Sequence, residues 1–362
     1  MDGRQDAARR GRACSIGSRT NPMDLAALNT IAERLVASGK GILAADESSG
    51  TIKKRFDAIG VENTEENRRD YRELLFRCGE AMNGCISGVI LFEETLYQIG
   101  ADGTPLVKLI EAAGAIPGIK VDKGAKPMAG FPGETLTEGL DGLGERLAKD
   151  YAQGARFAKW RAVIDIADGL PTWGAVKANA HALARYAAIC QEAQIVPIVE
   201  PEILMDGAHD IARCDEVTRW VLQTVFAELA EQRVALEGIV LKPNMVICGK
   251  GCSSRASVEE VAQRTISALK ATVPSAVPGI AYLSGGQSDE EATAHLDAMN
   301  RIGGFPWKMT FSYGRALQAA PQKAWSGRTE NVTAAQKAFA HRAKMNSLAS
   351  LGRWDGALER AA

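Results

Sequence analysis

Short apolar runs alternate with amphipathic stretches along most of the chain. The runs are rich in Val and Ile and too short for helices, so they predict β-strands. In chain order they are GILAADE (41–47), ISGVILF (86–92), PGIKVD (117–122), FAKWRAV (157–163), VPIVEPE (196–202), GIVLKPN (238–244), GIAYLSG (279–285) and KMTFSYG (308–314).

Between these runs, apolar residues recur at the spacing of one helix face. The clearest such segments are EENRRDYRELLFRCG, TEGLDGLGERLAKDYAQG, AVKANAHALARYAAICQEA, DEVTRWVLQTVFAELAEQ and VEEVAQRTISALKATV. Regular alternation of strand and helix indicates parallel strands joined by right-handed crossovers. Eight such units predict an α/β fold, a (β/α)8 TIM barrel in a single domain. An open doubly wound sheet is the alternative, but GILAADESSG lacks the GxGxxG turn that usually follows its first strand.

The pattern predicts one structured domain with a short extension at each end. Residues 1–22 hold several arginines and no apolar periodicity. They lack the apolar core of a secretory signal, so we expect a disordered or leader extension there. We expect the barrel domain over residues 23–345 and a short C-terminal tail over 346–362.

Composition argues against several classes of protein. Lys and Arg number 43 and Asp and Glu number 44, so no global field favours nucleic acid or an anionic membrane. No apolar stretch approaches the roughly 20 residues of a membrane span. Seven scattered cysteines are more typical of reduced thiols than of a disulfide framework. We expect a cytoplasmic enzyme with no nucleic-acid or membrane partner.

Nearly every predicted strand ends in a polar or charged residue. In a (β/α)8 barrel the catalytic groups come from these carboxyl ends, and side chains two positions apart share a face of the strand. Structural ion pairs would explain one such end. Five ends with ionisable groups of both signs favour an active site instead. The residues are Asp46, Glu47, Lys120, Asp122, Lys159, Arg161, Glu200, Glu202, Lys242, Ser284 and Ser312.

Lys242 is the candidate nucleophile. It is a lone cation at the end of an apolar run, where burial disfavours the ammonium form. A neutral lysine amine can attack a carbonyl and form a Schiff base. Taken by itself, Lys242 could equally extend from the strand end into solvent and have no chemical role.

Two segments after the last strands are typical of phosphate-binding loops. YLSGGQS follows the seventh strand and FSYGRALQ follows the eighth, the usual position of a phosphate site in such barrels. Their candidate residues are Ser284, Gly285, Gly286, Ser312, Gly314 and Arg315. The segment TIKKRF, with Lys54 and Arg55, lies after the first strand. It would suit a second phosphate at the other end of a substrate.

The residues do not predict a metal centre. The chain has four histidines, none at a predicted strand end. Cys248 and Cys252 have no second pair or nearby histidine to complete a zinc site. We expect no metal and no cofactor, although a magnesium site made of carboxylates stays open.

Nine ordered motifs resemble class I fructose-1,6-bisphosphate aldolase. They are GILAADESSGTIKKRF, ENTEENRRDYR, GVILFEETLYQ, GIKVDKG, FAKWR, VPIVEPEIL, LKPNM, LSGGQS and FSYGRALQ, and the likeness runs from about residue 25 to about 350. The resemblance implies a TIM barrel, usually a homotetramer, that works without a metal. It implies a glycolytic and gluconeogenic lyase that splits fructose 1,6-bisphosphate reversibly into dihydroxyacetone phosphate and glyceraldehyde 3-phosphate.

The resemblance also implies roles for individual residues. Lys242 is similar to the Schiff-base lysine, and Glu200 to the general acid/base for carbinolamine dehydration and the C4 hydroxyl proton. Glu202 would assist, Lys159 would support proton transfer and hold the carbinolamine, and Asp46 would orient the C4 hydroxyl. Substrate and phosphate contacts are implied for Ser48, Thr51, Lys54, Arg55, Lys120, Arg161, Ser284, Gly285, Gly314 and Arg315.

One feature departs from the family pattern. Class I aldolases typically end in a tail whose terminal tyrosine helps to protonate the enamine. The last tyrosine here is Tyr313. We therefore expect proton exchange at C3 of dihydroxyacetone phosphate to be slower, relative to cleavage, than in relatives with that tyrosine.

Two other functions compete with the main one. A transaldolase or a single-phosphate sugar aldolase would use the same lysine chemistry, but Lys54, Arg55 and Lys120 provide for a second phosphate. A non-catalytic scaffold is disfavoured because lysines and glutamates stand at the strand ends where the resemblance expects them. The residues leave the preference between fructose 1,6-bisphosphate and fructose 1-phosphate open.

Overall fold

Eight parallel strands close into a barrel in the computed structural model, which describes residues 23–360. The strands in chain order are β1 (Gly41–Ala45), β2 (Ile86–Leu91), β3 (Ile116–Lys120), β4 (Ala125–Pro127), β5 (Thr135–Thr137), β6 (Phe157–Ile164), β7 (Val196–Ile203), β8 (Val240–Leu241), β9 (Gly279–Tyr282) and β10 (Lys308–Tyr313). The barrel order is β1-β10-β9-β8-β7-β6-β3-β2, and β4 and β5 form a separate antiparallel hairpin. The predicted (β/α)8 barrel is confirmed.

Helices connect the strands and cover the barrel. They are α1 (Leu25–Leu35), α2 (Ser49–Asp57), α3 (Glu65–Phe76), α4 (Gly79–Cys85), α5 (Glu93–Tyr97), α6 (Leu106–Ala112), α7 (Leu143–Ala152), α8 (Trp173–Glu192), α9 (Ile211–Glu231), α10 (Val258–Thr272), α11 (Asp289–Ile302), α12 (Arg315–Trp325) and α13 (Val332–Ser350). Short 3-10 turns lie at Leu236–Gly238, Thr329–Asn331 and Leu358–Arg360. Most of the apolar core lies between the outer faces of the strands and these helices.

A second apolar cluster, here called the barrel floor, fills the amino-terminal half of the barrel. Its members are Leu28, Ala32, Leu35, Val36, Ile42, Ala44, Ile90, Ile116, Phe157, Val196, Ile198, Val240 and Ala281. Helix α1 contributes the first three of them and closes this end. Gly118 makes room for the largest member, because a Cβ at Gly118 would lie 2.3 Å from the Phe157 ring. The floor is therefore a packed core and not a channel.

Three predicted element boundaries are corrected by the structure. The segment TEGLDGLGERLAKDYAQG (137–154) is helical only from Leu143 to Ala152. Gly139 and Gly142 have φ of +127° and +62°, which a right-handed helix cannot accommodate. Helix α3 ends at Phe76, three residues before the predicted end at Gly79. The sixth predicted strand is reduced to Val240–Leu241.

The ends of the chain are only partly described. Residues 1–22, where a leader or disordered extension is predicted, lie outside the described residues. Helix α13 continues to Ser350, past residue 346, where the tail was predicted to begin. Within residues 23–360, no helix is both long and apolar enough to span a membrane. The cysteines in this part of the chain are free thiols, as predicted, and Cys14 lies outside it.

Candidate active site

A cavity of about 600 Å3 opens at the carboxyl ends of the barrel strands. Every predicted site residue except Gly286 lines it. The lining comprises Ala44, Asp46, Glu47, Ser48, Thr51, Lys54, Arg55, Lys120, Asp122, Gly124, Ala125, Lys159, Arg161, Val163, Glu200, Glu202, Lys242, Leu283, Ser284, Gly285, Ser312, Gly314 and Arg315. The parallel strands therefore bring residues from Ala44 to Arg315 to one barrel mouth.

Two lysines and two carboxylates form a continuous chain of ion pairs in this cavity, here called the lysine–carboxylate chain. The Lys159 ammonium lies 2.7 Å from an Asp46 oxygen and 3.4 Å from Oε2 of Glu200. The other Glu200 oxygen, Oε1, lies 3.0 Å from Nζ of Lys242. Lys159, Glu200 and Lys242 are each at most 4% exposed. Glu200 thus bridges both lysines.

Strand geometry explains how these side chains meet. Glu200 lies two residues after Ile198 on β7, and Lys159 two residues after Phe157 on β6, so each follows a floor residue on the inward face. Strand β8 ends at Leu241, and the Lys242 N–H donates to the Val199 carbonyl at 2.8 Å. Lys242 is therefore fixed beside β7 where the barrel widens.

The electrostatic balance of the chain favours charged Asp46 and Lys159. Burial opposes ionisation of Asp46, but the nearby charges of Lys159 and Lys242 outweigh it and lower its pKa to about 2. Burial likewise opposes the Lys159 ammonium, yet Asp46 and Glu200 outweigh it and raise the pKa of Lys159 above its usual value. Lys159 is therefore the cation that holds the carboxylates in place.

The two lysines differ in their ion-pair partners. Lys159 contacts two carboxylates, whereas the ion pair of Lys242 is with Glu200 alone. A proton on Lys242 has an acceptor at 3.0 Å, a normal distance for a hydrogen bond. An acceptor for a proton of Lys242 is therefore in place at Glu200.

The remaining charged residues on β3, β6 and β7 pair among themselves at the rim of the cavity. Nζ of Lys120 lies 2.9 Å from the carboxylate of Asp122. That carboxylate also accepts from the Gly124 N–H at 3.1 Å. Glu202 forms an ion pair with Arg161 through the Arg161 Nε. Glu202 is therefore paired with Arg161 and not with the lysines of the lysine–carboxylate chain, although its two-residue spacing from Glu200 places both on the same strand face.

One end of the cavity has the geometry of an anion site. Ser284 and Gly285 follow β9, and Gly285 has a φ of +55°, a conformation that favours glycine. The Arg315 guanidinium donates to the Gly285 carbonyl, so the two predicted loops touch. Gly286 departs from the prediction: its N–H points at Sδ of Met205 at 3.0 Å, and it does not line the cavity.

The opposite end is formed by the loop after β1 and by helix α2. The hydroxyls of Ser48 and Thr51 lie 3.2 Å apart, and exposed Lys54 and half-buried Arg55 follow on the helix. Arg55 forms an ion pair with the buried carboxylate of Glu47. This end therefore offers hydroxyl and cationic donors that could meet a second anion.

Two residues that support this end were not among the predicted site residues, although each is the last residue of a motif quoted for the family resemblance. Gln318 donates from its side-chain amide to a Glu47 oxygen at 2.7 Å, and buried Arg72 donates to the Glu47 carbonyl at 3.0 Å. Both lie on helices α12 and α3, where a polar residue at that spacing usually faces solvent. Only the fold shows that they face inward. No group of three or more metal-ligating side chains gathers anywhere in residues 23–360.

Known proteins resemble the chain over most of its length. The family description "Fructose-bisphosphate aldolase class-I" matches residues 27–362. A Xanthomonas campestris pv. campestris protein named "Probable fructose-bisphosphate aldolase class 1" is 56% identical over 335 residues, covering 92% of this chain and 100% of that protein. Fructose-bisphosphate aldolase C of Rattus norvegicus is 55% identical over 330 residues, 91% of each chain.

The fold agrees with a solved structure from the same group. The fructose-bisphosphate aldolase of Plasmodium falciparum, in a ternary complex with TRAP and a small-molecule inhibitor, aligns with a TM-score of 0.89 and 51% identity. The alignment covers 92% of this chain and 96% of that one. From its sequence, its barrel and the residues gathered at the barrel mouth, the chain belongs to the class I fructose-bisphosphate aldolase family.

Proposed function

We propose that the cavity cleaves fructose 1,6-bisphosphate reversibly into dihydroxyacetone phosphate and glyceraldehyde 3-phosphate, through a Schiff base on Lys242. The observation that carries this proposal is the buried chain Asp46–Lys159–Glu200–Lys242 between two anion-binding ends. It combines an amine, a proton acceptor and a fixed cation on buried side chains within one cavity.

Formation of the Schiff base needs three proton transfers. Lys242 gives a proton to Glu200, the neutral amine attacks the C2 carbonyl, and a second amine proton moves to the C2 oxygen to give a neutral carbinolamine. Glu200 then protonates the departing C2 hydroxyl, which leaves as water, and the iminium remains on Nζ of Lys242. Glu200 is the supported acid/base because its two oxygens contact both lysines.

Cleavage of the C3–C4 bond then uses the iminium as an electron sink. The C4 hydroxyl loses its proton to a carboxylate, the C3–C4 electron pair moves into the iminium, and the aldehyde leaves. Asp46 is held ionised by Lys159, and Glu200 is adjacent, so both are available as acceptors. Lys159 would hold the carbinolamine oxygen, and Glu202 would assist through Arg161.

The two ends of the cavity would hold the two phosphates. Ser284, Gly285, Ser312, Gly314 and Arg315 form one end, which we assign to the phosphate nearest the ketone. Ser48, Thr51, Lys54, Arg55, Lys120 and Arg161 form the other. In this proposal Gly286 does not contact the phosphate. It stabilises the conformation of the loop Ser284–Gln287 through the contact of its N–H with Met205.

The resemblance supports three finer proposals about the state of the enzyme. We propose a homotetramer, a cytoplasmic location, and catalysis that needs no metal or other cofactor. The family uses a lysine adduct for the electron sink that a metal supplies in other aldolases, and the lysine is in place here.

A coupled cleavage assay tests the proposed function. Purified protein is given fructose 1,6-bisphosphate or fructose 1-phosphate, with and without a molar excess of EDTA, and triose phosphates are measured. We expect cleavage of the bisphosphate that EDTA does not change. Absence of triose phosphate would refute the function, and inhibition by EDTA would refute the metal-free mechanism. The ratio of the two substrate rates measures the contribution of the second phosphate end.

A further inference from the structure

We propose that His295, a buried residue outside the cavity, is a positioning residue that fixes the phosphate loop Ser284–Gln287 through the side chain of Gln287. The inference rests on the proposed function, since it concerns how the same site binds the phosphate beside the ketone. His295 lies on α11, the helix that follows this loop, and is 4% exposed.

Two buried side chains connect His295 to the loop. Nδ1 of His295 lies 2.6 Å from Oε1 of Gln287. Nε2 of Gln287 donates to the Ser284 carbonyl at 3.1 Å, the same carbonyl that accepts the Gln287 backbone N–H at 3.1 Å. The Gln287 side chain, 4% exposed, thus closes the turn that begins at Ser284, a residue that lines the cavity. His295 contacts the amide oxygen of the same side chain.

Hydrogen-bond polarity fixes the form of the imidazole. The Ser284 carbonyl can only accept, so the end of Gln287 that faces it must be the amide nitrogen. The amide oxygen therefore faces His295, and the single ring proton must sit on Nδ1 to donate to it. Burial lowers the pKa of His295 to about 4, although Glu291 and Glu259 oppose the shift. The ring is neutral near pH 7, with Nδ1 as its one donor.

The same link reaches the segment that carries Lys242. Nε2 of Gln287 also lies 3.6 Å from Sδ of Met245, three residues after the lysine. The Leu283 N–H donates to the Pro243 carbonyl at 3.2 Å. The phosphate loop and the segment after Lys242 are therefore in direct contact. The Gln287 side chain contacts both segments and is hydrogen-bonded to His295.

A phosphate site made of a hydroxyl and backbone N–H groups depends on the loop conformation. Small rotations of the peptides redirect every donor at once, and a preformed loop avoids that entropic cost on binding. Without the Nδ1 donor, the buried Gln287 oxygen would be left unpaired and its side chain would be free to turn. Loss of this donor should therefore lower the affinity for phosphate. The lysine–carboxylate chain should keep its ion pairs, because His295 contacts none of its members.

The test compares three variants of the full-length protein. His295→Leu removes the donor and keeps an apolar side chain in the space. His295→Asn retains an N–H group close to the position of Nδ1. Met299→Ala alters another buried residue of α11 and controls for general destabilisation. KM and kcat for fructose 1,6-bisphosphate are measured, together with the Kd of dihydroxyacetone phosphate by calorimetry.

We expect KM and this Kd to rise about tenfold in His295→Leu, the equivalent of one lost hydrogen bond with a buried partner, with kcat within about threefold of wild type. In His295→Asn, which retains a donor, KM and Kd should stay within about threefold of wild type. Met299→Ala should leave both constants unchanged. If His295→Leu does not fold, Gln287→Met removes the same contacts from the loop side and should raise KM similarly.

Two results would overturn the inference. One is an unchanged KM in folded His295→Leu or Gln287→Met. The other is an equal rise in His295→Asn and His295→Leu, which would indicate a loss of packing and not of the donor. Failure of the proposed function is distinguishable, because the wild-type protein would then not cleave the substrate at all.

Discussion

The mouth and the floor of the barrel are built on the same strands and have opposite chemistry. The floor is an apolar cluster that contains Phe157 and Ile198. Two residues later on the same strands, the mouth carries Lys159 and Glu200. The change occurs within one step along the inward face of each strand, about 7 Å. The floor therefore stabilises the fold, and the mouth is free to carry charges that the floor could not accommodate.

The comparison also explains why buried charges are tolerated in the mouth. Lys159, Glu200 and Lys242 are buried nearly as completely as the floor, since each is at most 4% exposed. Each has an opposite charge within 3.4 Å, so the cost of desolvation is offset by paired charges. Substitution of one residue in the mouth should therefore lower catalytic activity, and substitution of one residue in the floor should lower the free energy of unfolding. The following variants test that division.

Lys242→Met should have the largest effect. It removes the nucleophile, so kcat/KM for fructose 1,6-bisphosphate should fall by about 10⁴-fold or more. Lys53→Met, at an exposed cation on the neighbouring helix α2, is the matched control and should keep wild-type activity. Triose phosphate release by both variants is the measurement. Residual activity above one-tenth of wild type in Lys242→Met would remove Lys242 from its role.

Glu200→Gln should have the next largest effect. The amide cannot accept the proton of Lys242 or return it to the carbinolamine, so kcat should fall by about 10³-fold. Circular dichroism and thermal unfolding should show a folded protein, because Asp46 still pairs with Lys159. A change in KM alone, with kcat preserved, would contradict an acid/base role.

Leu35→Ala tests the floor. The side chain is fully buried on α1, and its truncation should lower the free energy of unfolding by about 3 kcal/mol through lost burial and a residual cavity. Because Leu35 is far from the lysine–carboxylate chain in the barrel, kcat/KM at 25 °C should match wild type. Urea denaturation and the cleavage assay test the two halves of this prediction. A large loss of activity in folded protein would mean that floor and mouth are coupled.

Asp150→Asn removes a buried carboxylate that forms no ion pair with a lysine. Of the four variants it should have the smallest effect, a change in the free energy of unfolding that depends on pH. Burial and the charge of Glu93 raise the pKa of Asp150, on α7, to about 6. Its folded pKa lies above the unfolded value, so ionisation destabilises the protein as the pH rises from about 4 to above 6. The variant should be more stable than wild type by about 2 kcal/mol at pH 8 and equal to it at pH 4.

The pH dependence of Asp46 has the opposite sign. Its pKa is lowered to about 2, so its contribution to stability is complete above pH 4 and is lost as the pH falls toward 2. Denaturation curves of wild type and Asp150→Asn between pH 3 and pH 8 test the prediction for Asp150. An equal stability difference at both ends of that range would contradict it.

The sequence predicted the barrel and most of the residues that line its mouth. Short apolar runs were enough to locate all eight barrel strands, because strands such as β7 are buried on both faces. The two-residue period of a strand placed Glu200 and Glu202 on one face. It could not show that Glu202 pairs with Arg161 while Glu200 bridges two lysines, since pairing depends on register and rotamers across strands.

Other features depend on contacts that no local pattern encodes. Gly286 belongs to the predicted loop, but its N–H is directed to Met205, 81 residues earlier in the chain. Gln318 and Arg72 support Glu47 from helices α12 and α3, and helical periodicity alone does not show that they face inward. The segment 137–154 looked helical throughout, and the positive φ of Gly139 and Gly142 stops the helix from starting before Leu143.

Borohydride trapping tests the central claim that Lys242, and not its neighbour Lys159, is the nucleophile. The protein is mixed with dihydroxyacetone phosphate, reduced with sodium borohydride, digested and mapped by mass spectrometry. We predict a reduced adduct on the peptide that contains Lys242, none on the peptide that contains Lys159, and none without the ketose phosphate. An adduct on Lys159, or no adduct in protein that cleaves the substrate, would contradict it.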